Sequence, residues 1–295
     1  MQDKEAEEFR DSAAIRDIWQ YFRKDRLALF CLYTFLALIW TALFSSVLSP
    51  YNSNAQFVGK ELLPPSWVTE GTVTYFFGTD DIGRDLFSRM LRGTTYTFGS
   101  AVIVVFFIAV IGGVLGILAG MSQGLKARVL GHFLDAFLVV PILLLAIIIA
   151  TLMEPSLINA MLATGLALLP HFIHQIYHAV QTELKKDYVL TLRLDGASNG
   201  ILLKETILPN LSVPYIREIS RAFTLALLDI SALSFISLGA QRPTPEWGAM
   251  IRDSLELIYL APWTVILPGL AIISCTLVVM ILGNRLCKAI EKYSE

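Results

Sequence analysis

The chain has 295 residues, of which 55% are hydrophobic and 16% charged, with a formal net charge of -2. Mean hydropathy is +0.61. Soluble domains carry about 25% charged residues, so this deficit argues against a large soluble core, and the near-neutral balance argues against a nucleic-acid partner.

In chain order, residues 1–26 are mostly polar and read as a cytoplasmic N-terminal segment. The first apolar run, 27–48, exceeds the roughly 7–15 residues of a signal-peptide core. It ends in Ser49-Pro50-Tyr51 without a small-x-small cleavage site, so a retained membrane helix is expected. A helix needs about 20 apolar residues to cross the hydrocarbon core. Six stretches qualify: 27–49, 98–120, 130–153, 156–179, 218–239 and 263–286. Backbone groups in lipid must be satisfied internally, so the expected fold is all-α.

Basic residues orient the spans. Arg23, Lys24 and Arg26, Lys126 and Arg128, Lys185, Lys186, Arg193 and Lys204, and Arg285, Lys288 and Lys292 all fall on one side if both termini are cytoplasmic. The opposite loops carry Lys60, Arg84, Arg89, Arg92, Arg242 and Arg252, but charges in longer loops weigh less. The three cysteines (Cys31, Cys275, Cys287) lack metal-ligand spacing and read as small apolar residues.

The first outer loop, 50–97, contains Gly78-Thr79-Asp80-Asp81-Ile82-Gly83-Arg84-Asp85. Its glycine spacing imitates a phosphate loop, but Arg84-Asp85 stands where Lys-Ser/Thr is required. The acids also lack the order of a calcium loop. A capped helix starting at Asp80 or Asp81 and running through Leu86, Met90 and Leu91 is expected instead. Span two carries Gly112, Gly116 and Gly120 at four-residue spacing, a stripe for close helix packing.

Asp135 in span three and Asp229 in span five are ionisable groups at membrane depth, which are costly and often mark a pathway or an internal pair. Asp135, near the cytoplasmic end of its span, is expected to reach the interface or to pair with Arg128. His171, His174 and His178 share one helix face at i, i+3 and i+7. With no carboxylate or cysteine nearby in sequence, interfacial packing is expected rather than metal binding. No metal-binding, cofactor-binding or catalytic residue is assigned. The absence of HExxH and GxSxG patterns speaks against a membrane enzyme. No repeat relates the two halves, as an ion-driven secondary transporter would require.

The loop 180–217 is long for a connection between tight spans. Tyr188, Val189, Leu190 and Leu192 form an apolar patch on a short helix, Arg193 flanks it and Gly196 can end it. A second short helix through Leu202, Leu203 and Ile207 is expected to stop at Pro209. Such an element can dock in a partner's groove or lie on the lipid interface. The second outer loop spans 240–262.

Three stretches carry a family resemblance. Gly196-Ala197-Ser198 followed by Ile207-Leu208-Pro209-Asn210 resembles the cytoplasmic coupling motif, EAA–G–I-LP, of binding-protein-dependent ABC importer permeases. Phe77 through Asp85 with Ser88-Arg89, and Leu233-Ser234-Phe235 through Pro243-Thr244-Pro245-Glu246-Trp247-Gly248, resemble the dipeptide/oligopeptide/nickel subgroup. Pro262-Trp263 and Pro268-Gly269-Leu270 continue the likeness.

The resemblance implies a type I importer permease over 27–295 in the bacterial inner membrane. It would work with a homologous second permease, two cytoplasmic ATPases that use ATP and Mg, and a periplasmic binding protein. It implies that Tyr188, Val189, Leu190, Leu192, Arg193, Gly196, Leu208 and Pro209 couple to the ATPase, and that Asp229 and Asp135 line the path. Asp80, Asp81, Arg84, Asp85, Glu246 and Trp247 would make outer-loop contacts. The cargo implied is peptides, cationic antimicrobial ones included, with putrescine export as the alternative. The chain departs from the pattern in reading Leu190-Thr191-Leu192 where the family has Glu-Ala-Ala. The family acid of span five falls at Ile230, beside Asp229.

Overall fold

The computed structural model describes residues 16–122, 131, 132, 135 and 138–294. The basic residues Lys126 and Arg128, and with them the expected Arg128–Asp135 pair, lie outside the described residues. Among the described residues every regular element is helical apart from an isolated bridge between Thr79 and Asp85.

Helix α1, Arg26–Leu48, is capped by the Asp25 carboxylate, which accepts from the Leu27 and Ala28 N–H groups. Helix α2, Leu86–Thr94, passes through a π-helical turn, Thr95–Gly99, into α3, Ser100–Met121. Then come α4, Ile142–Thr151, and α5, Leu157–Glu183. Helix α6, Asp187–Leu194, precedes α7, Ser212–Phe235, and the chain closes with α8, Trp247–Ser254, and α9, Trp263–Ser294. Among the described residues four units are long and apolar enough to cross a membrane: α1, the continuous Leu86–Met121, α5 and α9. The short apolar α4 stands at the third expected span. Helix α7 stands at the fifth. It is long enough, at about 36 Å for a rise of 1.5 Å per residue, but carries Arg217, Glu218, Arg221 and Asp229.

The exposed side chains of α1 include Phe30, Tyr33, Trp40, Leu43, Phe44 and Val47. Apolar surface on this scale needs lipid or a partner to cover it. The core is built instead on the glycine stripe of α3. A Cβ on Gly112 would lie 2.9 Å from the Phe172 ring, one on Gly116 2.7 Å from Ile176 Cβ, and one on Gly120 2.6 Å from Val180 Cβ. Glycines four apart on α3 therefore receive side chains four apart on α5. Close backbone approach gains dispersion contacts where lipid supplies no hydrophobic drive. Gly113 makes room for Tyr215 of α7, whose hydroxyl donates to the Ala109 carbonyl at 2.7 Å. We expect Gly116→Leu to overpack this seam by about 1–3 kcal/mol or more. The readout is a lower thermal midpoint of the detergent-solubilised chain. Leu118→Ala, two residues on but exposed on the lipid-facing side of the same helix, should leave that midpoint nearly unchanged.

All three cysteines are free and buried, as their apolar settings predict.

Candidate coupling loop and outer-face frame

On the loop between α5 and α7, helix α6 ends by letting its last carbonyls meet the following N–H groups. Gly196 donates to the Arg193 carbonyl at 3.1 Å and Ala197 to that of Leu192 at 3.0 Å. This Schellman closure needs a left-handed residue, and Gly196 supplies it at φ +89. Val189 is fully buried and joins the core that contains Phe172, Ile176 and Val180. Arg193, one turn on, is half-buried. Tyr188, Leu190, Leu192 and Leu194 are exposed, Leu194 at 88%. The apolar patch expected on α6 is thus divided. Val189 is not an anchor for a partner but a root in the bundle, while Leu194, which sequence reading missed, is its most exposed member. Its place four residues after Leu190 was the available signal.

Tyr188 has two roles. Its ring is partly exposed, and its hydroxyl donates to the buried Glu183 carboxylate at the end of α5. The Asn210 amide donates to the same hydroxyl at 3.1 Å, and Lys186 Nζ lies 2.7 Å from Glu183. Burial and the Glu183 bond push the Tyr188 phenol up to about 12, so it stays a donor at every physiological pH. The end of α5, the start of α6 and the approach to α7 are thereby tied at one point. Glu183 and Asn210 are needed for this and were not singled out from sequence.

Pro209 does not stop the second helix. Helical turns run from Asn199 to Asn210, with a π-helical stretch, Leu202–Ile207, just before the proline. A proline lacks an N–H and crowds the carbonyl four residues back, and a widened turn accommodates both. Leu202 and Ile207 are buried, whereas Leu208 and Pro209 are exposed.

The outer face is a frame of buried polar groups. Asp80 accepts from the Arg84 backbone N–H at 2.8 Å and from Arg84 Nε at 2.6 Å. Arg89 lies 3.6 Å from the same carboxylate, and its Nη1 donates to the Ser53 carbonyl at 3.2 Å and that of Pro243 at 3.5 Å. Asp81 pairs with Arg242 at 3.7 Å, and Arg242 with Asp253 at 2.8 Å. These bonds join the two outer loops. Asp85, rather than Asp80 or Asp81, caps the helix that follows, accepting from the Ser88 N–H at 2.8 Å. Asp80 is occupied by the Arg84 turn, which corrects the expected helix start.

Glu246 is completely buried. It caps α8 through the Ala249 N–H at 2.8 Å and accepts from the hydroxyls of Thr97 at 2.9 Å and Ser231 at 3.2 Å. Thr97 sits in the π-helical turn and accepts from the Trp247 N–H at 2.9 Å. The indole of Trp247 donates to the Met90 carbonyl at 3.2 Å and lies over Gly93, where any Cβ would run into it. Burial raises the Glu246 carboxyl above the usual carboxylate range. Asp80, Arg84, Asp85, Glu246 and Trp247, read from sequence as outer-loop contacts, are thus buried and bonded within the chain. Of that set Asp81 keeps exposure, and Val58, Val73, Tyr259 and Leu260 also stand out from this face.

The two membrane acids are not brought together. Asp229 is buried on α7, and its Oδ2 has no hydrogen-bond partner among the described residues. Asp135 bonds instead to His174 Nε2 at 2.9 Å, across 39 residues of chain.

Residues 112–292 match the family described as binding-protein-dependent transport system inner membrane component, and 14–65 match the N-terminal transmembrane domain of oligopeptide transport permease C. The chain belongs to this family of inner-membrane ABC importer subunits, which are permeases rather than enzymes and leave ATP hydrolysis to separate subunits. It is 63% identical over 295 residues, all of both chains, to the peptide transport system permease protein SapC of Haemophilus influenzae. Identity is 47% to the protein of that name in Escherichia coli O6:H1, over 96% of both chains. It is 35% to the dipeptide transport system permease protein DppC of Escherichia coli K12, over 94% of this chain and 92% of the other. The fold matches a chain of the inward-facing MetNI methionine ABC transporter at a TM-score of 0.58 and 14% identity, covering 68% of this chain and 96% of that one. Neither an ion-driven secondary transporter nor polyamine export finds support in these relatives.

Proposed function

We propose that this chain is one of two membrane subunits of an ATP-driven importer for peptides, cationic antimicrobial peptides among them. A homologous permease supplies the other half of the path, two cytoplasmic ATPases drive it, and a periplasmic binding protein delivers cargo. In this reading both termini and the loop 180–217 are cytoplasmic, and the loops 50–97 and 240–262 face the periplasm.

The observation that carries the reading is α6: a short helix rooted through Val189 and presenting Tyr188, Leu190, Leu192 and Leu194 outward. Energy from a soluble ATPase reaches the membrane only through a contact that is apolar enough to bind and stiff enough to transmit displacement. The tie among Tyr188, Glu183 and Asn210 gives such stiffness, linking α6 to both α5 and the approach to α7. Arg193, Gly196, Leu208 and Pro209 shape and flank the contact, and Asp229 is the acid assigned to the path.

The test is purification of the tagged chain from its own host membranes in mild detergent, followed by reconstitution. A second permease and P-loop ATPases are expected to co-elute, with hydrolysis stimulated by peptide-loaded binding protein. A chain that elutes alone under several gentle conditions and takes up cargo on a proton or sodium gradient would overturn the proposal.

A further inference from the structure

The protein has four histidines, and three of them gather around one carboxylate. Asp135 Oδ1 is 2.9 Å from His174 Nε2, and Asp135 Oδ2 is 3.6 Å from His132 Nδ1. His178, one turn beyond His174 on α5, brings its ring centroid to 4.2 Å from that of His174. One donor atom each from Asp135, His174 and His178 lie within 4.8 Å of one another. His174 is buried, and its Nδ1 has no hydrogen-bond partner among the described residues.

We infer that Asp135, His174 and His178 form a binding site for a divalent cation of zinc-like softness, with His132 at its rim. Two imidazoles four residues apart on a helix converge on one ion, and a carboxylate from a second segment completes a three-ligand set with open positions. Donors around a tetrahedral zinc at about 2.0–2.2 Å stand about 3.3 Å apart, close to the Asp135–His174 separation. Magnesium and calcium fit poorly, since they call for six or more oxygen donors, or for several retained waters, around a carboxylate-rich centre. A bound ion fastens Asp135 to the end of α5 that leads into α6. The site is independent of how α6 meets its partner.

The test uses the full chain with its partner subunits in nanodiscs, purified on a tag without histidine and stripped with chelator. Cobalt(II) is titrated in while its visible absorption is followed, and zinc is then used to displace it. About one cobalt per chain, displaced by zinc but not by magnesium, is expected. Asp135→Asn and His174→Gln/His178→Gln should each weaken binding by more than about tenfold, since even outer-shell changes cost about 10–100-fold. Absence of cobalt binding, or affinity unchanged in both variants, would overturn the inference. Should the variants fail to assemble, X-ray absorption on the zinc-loaded native complex decides. Two imidazoles in the first coordination sphere support the site, and none or one overturns it.

Discussion

Replacing Glu246 with alanine should cost this protein more stability than any other single change on its outer face. Three groups would lose their acceptor in a place water does not reach: the Ala249 N–H and the hydroxyls of Thr97 and Ser231. Each buried donor left unpaired costs about 1–3 kcal/mol, so a loss of about 3 kcal/mol or more is expected. For a chain of this size that lowers the thermal midpoint by about 6–12 °C. Heating the detergent-solubilised variant and following its gel-filtration peak measures this directly. Glu246→Gln keeps an acceptor for the hydroxyls but presents an amide to the helix cap, so its midpoint should lie between those of alanine and native protein.

The pH dependence has a definite sign. Burial raises the Glu246 pKa, so the folded state holds this proton more tightly than the unfolded chain. Its contribution to stability is full below the unfolded carboxylate pKa and is lost as pH rises through the folded value. The glutamine variant lacks that component, and its midpoint should fall less than the native one as pH is raised across the same window. An alanine variant that melts within about 2 °C of native protein would show that the buried network does not hold the outer loops.

The second large effect is expected on assembly rather than folding. Leu190→Asp combined with Leu194→Asp places two charges on the exposed row of α6. Anchors at the centre of an interface contribute about 2 kcal/mol or more each, so the two together should weaken ATPase binding by several hundredfold or more while the second permease stays bound. Val189→Asp, one residue away, should behave differently. It buries a charge in the core, at a cost of several kcal/mol, and should abolish recovery of folded protein. The two variants together separate a docking face from a packing face on the same helix. ATPase recovered at native stoichiometry with the Leu190/Leu194 variant would place docking elsewhere.

Features that local patterns encode were legible from residue order. Long apolar runs located α1, α3, α5 and α9, because only helices of about 20 residues satisfy their own backbone in lipid. The four-residue glycine spacing on α3 forecast a close helix seam, and Gly196 forecast the end of α6, since few other residues adopt a left-handed turn without strain. The tertiary structure alone decided which residues of a polar or apolar motif face inward. Asp80 and Glu246 look like surface acids in sequence but are buried because Arg84, Arg89, Thr97 and Ser231 satisfy them, Thr97 from the π-helical turn that joins α2 to α3. Val189 and Leu194 are alike in type, yet the docking of α6 on the bundle buries the first and exposes the second. The histidines found their carboxylate only when the fold brought Asp135 across to α5. Burial and long-range pairing depend on how helices pack, and residue spacing along the chain does not carry that information.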